Sequence, residues 1–180
     1  SFVGGGDESL VLLGGLPHEL GGSHYLQTRH GRKEGKVPEV NLGAEKALQD
    51  FLIDQIQAGR ISAAHDLSEG GLLVTVSEML FEGDGFGVNL NLPSLGASGR
   101  FDALLFGESQ GRVVVAVQPA ETTVLLSAAR KAEVEAVDIG SVNSIGRFQA
   151  TVSGETVIDD EITELRGIWG NAIPNAMDHA

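Results

Sequence analysis

Two polar turns carry the side chains best suited to chemistry in this sequence. The first, His65-Asp66-Leu67-Ser68-Glu69-Gly70-Gly71, precedes a run with helical spacing, Leu72 to Phe81. A glycine pair opening a helix presents unsatisfied backbone N–H groups and the positive end of the helix dipole, which suits a phosphate. Asp66 and Glu69 oppose that phosphate, since no Lys or Arg lies within the motif, unless a hard cation stands between them. Mg²⁺ is the natural bridge, because it takes one or two carboxylates and completes its shell with phosphate oxygens and water. The second turn, Glu108-Ser109-Gln110, offers an acceptor, a hydroxyl and an amide, a set able to read the hydroxyls or phosphate of a small ligand. Each turn has a structural alternative. Ser68 or Asp66 caps the helix while the glycines satisfy the turn, and Glu108 to Gln110 form an ordinary polar bend. His65, next to the cap, reads as a hydrogen-bonded structural residue. His18, His24 and His30 give no i, i+4 metal face and read as surface residues.

Other templates are excluded. Gly31-Arg32-Lys33-Glu34-Gly35-Lys36-Val37 has the wrong spacing and the wrong last residue for a P-loop. Gly83-x-Gly85-x-Gly87 lacks the strand and helix of a dinucleotide fingerprint. The chain has no cysteine, so it holds no disulfide, thiolate metal site or cysteine nucleophile. Asp+Glu 25 against Lys+Arg 12 give a formal charge of -13, a field that repels nucleic acid and anionic lipid, so neither is expected as a partner. No run approaches the ~18 apolar residues that span a bilayer. The opening Ser1-Phe2-Val3-Gly4 has neither the basic nor the apolar region of a signal peptide, and a cytoplasmic location is expected. The missing initiator Met and the glycine-rich start suggest a piece of a longer polypeptide.

The elements that position the two turns follow from periodicity. Ser9 to Leu13 is a short apolar run between glycine pairs, a buried strand. Residues 14–40, rich in Gly, His and charge, form a long connection of the functional or docking kind, with a short helix near Tyr25. Asn41 caps a helix whose apolar face is Ala44, Leu48, Phe51, Leu52 and Ile56, stopped by Gly59. Ile61 to Ala64 is a brief strand, which makes the first motif a strand-to-helix turn. Phe86, Val88, Leu90 and Leu92 alternate as a half-buried strand closed by Pro93, and Phe101 to Phe106 is a short helical segment leading into the second turn. Val113 to Val117 is a strand, Pro119 to Ala132 a helix and Ala136 to Val142 a strand. Arg147 to Val152 and Thr156 to Ile158 pair through Ser153-Gly154, and a last helix spans Asp160 to Arg166. This order is neither strict βαβ nor all-β. It predicts an α+β fold, a mixed sheet covered by helices, with residues 1–180 in one domain.

The stretch from His65 to Leu72 resembles the second-half signature of the phosphoribosylformylglycinamidine synthase family, the large synthetase of de novo purine synthesis. Leu12-Leu13-Gly14 with Leu20-Gly21-Gly22-Ser23, Leu105-Phe106-Gly107-Glu108-Ser109-Gln110-Gly111-Arg112 and Trp169-Gly170-Asn171-Ala172-Ile173-Pro174 resemble it in the same order. The resemblance implies a C-terminal domain like that of aminoimidazole ribonucleotide synthetase, the last of four domains in an ATP- and Mg²⁺-dependent ligase. That ligase converts formylglycinamide ribonucleotide, glutamine-derived ammonia and ATP to formylglycinamidine ribonucleotide, ADP and phosphate. It further implies Asp66 as a metal ligand, and Ser68, Gly70, Gly71, Glu108, Ser109 and Gln110 as substrate or nucleotide contacts. No catalytic residue is assigned to this chain, because the family's catalytic histidine lies in another domain. The implied partners are the remaining synthetase domains, a glutaminase subunit and a small adaptor subunit, and the isolated chain is expected to be inactive. The alternatives are a structural or auxiliary nucleotide-holding domain, or the same domain of aminoimidazole ribonucleotide synthetase or selenophosphate synthetase. If the motifs contact ligand, the side chains of Asp66 and Gln110 are expected to meet in one open cleft.

Overall fold

The computed structural model describes residues 6–81, 83, 85–93 and 100–178; the opening Ser1-Phe2-Val3-Gly4 lies outside them. In chain order the elements are β1 (Ser9–Leu13), α1 (His24–His30), α2 (Leu42–Gln57), β2 (Ile61–Asp66), α3 (Gly71–Phe81), β3 (Gly87–Leu92), α4 (Phe101–Phe106), β4 (Val113–Val117), α5 (Pro119–Lys131), β5 (Ala136–Asn143), β6 (Arg147–Val152), β7 (Glu155–Glu161) and α6 (Ile162–Asp178). The strands form one sheet in the order β2-β4-β1-β5-β3-β6-β7. Every neighbouring pair is antiparallel except β3 with β6, so the sheet is mixed and the fold is α+β.

The continuous apolar runs of β1 and β4 mark strands buried on both faces, where alternation has no solvent side to serve. Leu10, Leu12, Val114 and Ala116 pack with Leu72, Val76 and Leu80 of α3 and Leu104 of α4. Val11, Leu13, Val115 and Val117 point the other way, onto Leu48 and Phe51 of α2 and Leu125 and Ala129 of α5. The far half of the sheet is covered on one side only. Val88, Leu90 and Leu92 of β3 and Phe148, Ala150 and Val152 of β6 are buried, while Asn89 and Asn91 between them are exposed. Edge strand β7 keeps Glu155, Asp159, Asp160 and Glu161 along its length, charges that discourage pairing with another chain.

The β6–β7 hairpin turns at Ser153 (φ 53°) and Gly154 (φ 84°), the two left-handed residues that a tight hairpin turn needs. One boundary differs from the sequence expectation. Strand β7 runs on to Glu161 because Arg147 across the ladder donates to Asp159 Oδ1 (2.9 Å) and Glu161 Oε1 (3.2 Å), holding an acidic run extended. The last helix therefore starts at Ile162 and continues to Asp178, past Gly167, Gly170 and Pro174, rather than ending near Arg166.

Leu12 has no exposed surface. Leu12→Ala is expected to lower unfolding free energy by about 2–5 kcal/mol, read as a drop in the urea midpoint at unchanged m-value.

Candidate functional site

Antiparallel pairing of β2 with β4 sets Asp66 opposite Val113, so the turns that follow β2 and precede β4 leave the same end of the sheet side by side. The Leu67 N–H donates to the Arg112 carbonyl (2.9 Å), extending the ladder one step into the turns. Gly70 (φ 84°) and Gly71 (φ 68°) then reverse the chain into α3. A β-carbon on Gly71 would lie 2.6 Å from the Phe106 carbonyl carbon, so glycine here lets α3 and the end of α4 approach.

Glu108 is the hub of this corner. Its Oε1 accepts from the Gly70 N–H (2.8 Å) and from the His24 N–H at the start of α1 (2.9 Å), and its Oε2 lies 3.4 Å from His24 Nδ1. The Gly71 N–H is also used within the chain, donating to the Ser68 carbonyl (3.1 Å). A carboxylate of the protein thus sits on a backbone donor that the sequence pattern offers to phosphate. His24, which reads as a surface residue in the sequence, belongs to this corner through its backbone. Ser23 capping α1 by accepting from Leu26 was the local signal that a helix begins there.

Asp66 and Ser68 are exposed beside this corner, with the Asp66 side chain 76% accessible and that of Glu69 78%. The Asp66 carbonyl accepts from Thr75 Oγ1 of α3 (3.4 Å) and lies 2.9 Å from His65 Nδ1, while His65 Nε2 is 3.5 Å from Glu78. His65 is accordingly engaged on both ring nitrogens. Among the described residues no three His, Asp or Glu side chains cluster as a metal cage. Two solvent-exposed carboxylates suit Mg²⁺ that arrives with phosphate and water completing its shell.

Ser109 and Gln110 face elsewhere. They line a hollow of about 380 Å³ with Gly14, His18, Glu45 and Glu135, and Asp66 is not part of its wall. Asp66 and Gln110 therefore flank the same end of the sheet without meeting in that hollow. Gly107-x-Ser109-x-Gly111 has the spacing of a serine-hydrolase nucleophile elbow, but it leads from helix into strand, and the Ser109 hydroxyl is buried with no hydrogen-bond partner among the described residues. Below it, Arg112 donates from Nε to the Gly15 carbonyl (3.1 Å) and from its terminal nitrogens to the carbonyls of Gln110 (3.1 Å) and Leu16 (3.4 Å). Burial pushes this guanidinium below its usual range, opposed by Glu135 and Glu19. It pins the second turn to the segment leaving β1.

The start of α4, which aims the second turn, is fixed by Asp102. Its Oδ1 accepts from Arg100 Nε (2.9 Å) and the Ala103 N–H (2.9 Å), and the hydrogen bond from Arg100 leads the causes that hold the Asp102 carboxyl below its usual 3.8.

A sheet of this order with paired turns at one end defines a domain class, and comparison with known proteins identifies it. Residues 6–153 match the family model "AIR synthase related protein, C-terminal domain", and the chain belongs to that family. Its curated relatives include the phosphoribosylformylglycinamidine synthase subunit PurL of Alkaliphilus metalliredigens, 36% identical over 170 residues, and that of Salinibacter ruber, 38% identical over 162. These alignments cover 94% and 89% of this chain but 22% and 21% of those proteins, so the chain spans about a fifth of their length. Among solved structures, T. maritima PurL complexed with FGAR superposes with a TM-score of 0.78 at 23% identity, covering 92% of this chain and 29% of that one. T. maritima PurL complexed with ATP gives 0.74 at 22%, covering 92% and 27%. At these identities the structures establish a shared fold.

Two outcomes follow. Glu108→Ala is expected to cost about 2 kcal/mol by orphaning two N–H groups, and Glu108→Gln, which keeps an acceptor, less than half of that, both read by denaturant unfolding. Because the Asp102 carboxyl is held low in the folded state, its stabilisation is complete above the ordinary value and lost as pH falls through the folded one. The stability difference between the wild type and Asp102→Asn should therefore be constant above pH 5 and vanish in strong acid, measured as melting temperature against pH.

Proposed function

We propose that this chain is a domain of a phosphoribosylformylglycinamidine synthase, the ATP-dependent ligase that forms formylglycinamidine ribonucleotide in purine synthesis. The observation that carries this reading is the identity of 32–38% to PurL proteins along 89–99% of the chain. Solved relatives described as complexed with ATP, ADP and AMPPCP support nucleotide as a ligand of the intact protein. A structure described as PurLQS supports assembly with further subunits, for which a glutaminase and a small adaptor are the proposed identities. In the whole reaction ATP phosphorylates the formyl amide oxygen of formylglycinamide ribonucleotide, and ammonia displaces the phosphate. The location proposed is cytoplasmic; no helix among the described residues is long and apolar enough to cross a membrane.

Within this scheme Asp66, with Glu69 beside it, is the proposed Mg²⁺ ligand. Bound there, the ion would offset the negative charge of a nucleotide phosphate. Ser68 and the Gly70-Gly71 turn would receive that phosphate, and Ser109 and Gln110 would contact ligand from the neighbouring hollow. A second reading is favoured by two observations: Glu108 already accepts from the Gly70 N–H, and Asp66 does not line the hollow that Gln110 lines, as ligand contact by both motifs would require. In that reading the carboxylate permanently occupies the anion position and the two turns are structural. Glu108 must leave Gly70 for the first reading to operate through that donor.

Magnesium-dependent nucleotide binding by the intact synthetase separates the two. Asp66→Asn and Gln110→Ala are each expected to weaken it at least tenfold at unchanged melting temperature. Unchanged nucleotide affinity and turnover in both variants would leave the structural reading standing. The 180-residue chain alone is expected to show no ligase activity.

A further inference from the structure

Helix α6 begins as part of the body of the domain and ends outside it. Ile162 is buried, Arg166 donates to the carbonyls of Leu80 and Gly83, and the Trp169 ring lies 5.5 Å from that of Phe81. From residue 168 to 178 every position is exposed. That segment should be polar, yet no charged side chain occurs between Arg166 and Asp178 in a chain of net charge -13. Instead, Leu165, Ile168 and Trp169, Ala172 and Ile173, and Ala176 and Met177 recur on successive turns, the spacing of one apolar helix face. Trp169 is 57% exposed, Ile173 73% and Met177 75%. The stripe runs into a groove of about 260 Å³ between α3 and α6, lined by Leu73, Val74, Phe81, Phe106, Ile158 and Ile168 among others, with Ser77 the only polar one among the described residues that line it. A continuous apolar patch of this kind marks a surface that is covered in the working protein.

We propose that this groove and the α6 stripe are the seat of another domain of the same synthetase, which presents an apolar face to them. The proposal rests on the ligase reading above. Two observations select the occupant. The chain spans about a fifth of the length of its curated relatives, so most of such a synthetase lies outside it, held nearby at high effective concentration by the polypeptide itself. A second copy would bring another -13 charge against the first, and like net charge opposes association. The surface also adjoins the candidate site. Val74 and Phe106 line the groove and are the residues that a β-carbon on Gly70 or Gly71 would strike, at 2.5 and 2.6 Å. A domain seated here therefore abuts the Gly70–Glu108 corner.

Hydrogen exchange of the peptide 168–178, read by mass spectrometry in the intact synthetase and in the 180-residue chain, tests this directly. Exchange is expected to be at least tenfold slower in the intact protein. The double variant Ile173→Asp, Met177→Asp should abolish that protection in the synthetase while leaving the melting temperature of the 180-residue chain unchanged. Equal exchange in the two unsubstituted proteins overturns the proposal. So does concentration-dependent dimerisation of the 180-residue chain that the double variant removes, since the stripe would then be a self-association face. ATP-dependent turnover of formylglycinamide ribonucleotide by the unsubstituted intact synthetase reports on the ligase reading alone, so the two ideas fail separately.

Discussion

The geometry of the site hangs on one carboxylate. Glu108 gathers the first free N–H of α1 and the Gly70 N–H before α3, at 2.9 and 2.8 Å. These groups come from three segments that are distant in sequence, and the His24 ring, 3.4 Å from Glu108 and 3.9 Å from Glu69, spans the same three. Backbone donors at helix starts carry partial positive charge, so an acidic group placed between two of them is held more firmly than a neutral one. The arrangement works only because β2 and β4 end together, setting Asp66 and Val113 side by side. The buried Arg112 guanidinium completes the clamp from beneath by tying the second turn to the carbonyls of Gly15 and Leu16.

Much of this was legible in the sequence. The strands Ser9–Leu13 and Val113–Val117 announce themselves as unbroken apolar runs because both of their faces are buried, and Asn41 announces α2 because its side chain accepts from Gly43 and Ala44. The Ser153-Gly154 hairpin was visible as turn chemistry. The two polar turns were also visible, and their nearness follows from strand pairing that no local pattern encodes.

What escaped was long-range. Sequence spacing gives no sign that Glu108 points back toward Gly70 while Ser109 and Gln110 turn into a separate hollow, since adjacent residues in a bend diverge by geometry that only the fold sets. His24 looked like a solvent residue because its partners, Glu108 for its backbone N–H and Nδ1 and Glu69 for its Nε2, lie far away in the sequence. The length of α6 was hidden by Gly167, Gly170 and Pro174, all of which ordinarily signal a helix end. The apolar recurrence from Leu165 to Met177 carried the better signal.

The strand order also has a cost in time. Within this domain β1 is synthesised before every other strand, yet Ser9 finds its neighbours at Val117 and Ser141. Until those arrive, this apolar strand has no edge to join. The hairpin of β6 and β7, by contrast, can close as soon as it is made. Folding of this domain is accordingly governed by the late capture of its oldest strand, and the nascent chain is most exposed to aggregation in the interval before β4 is synthesised.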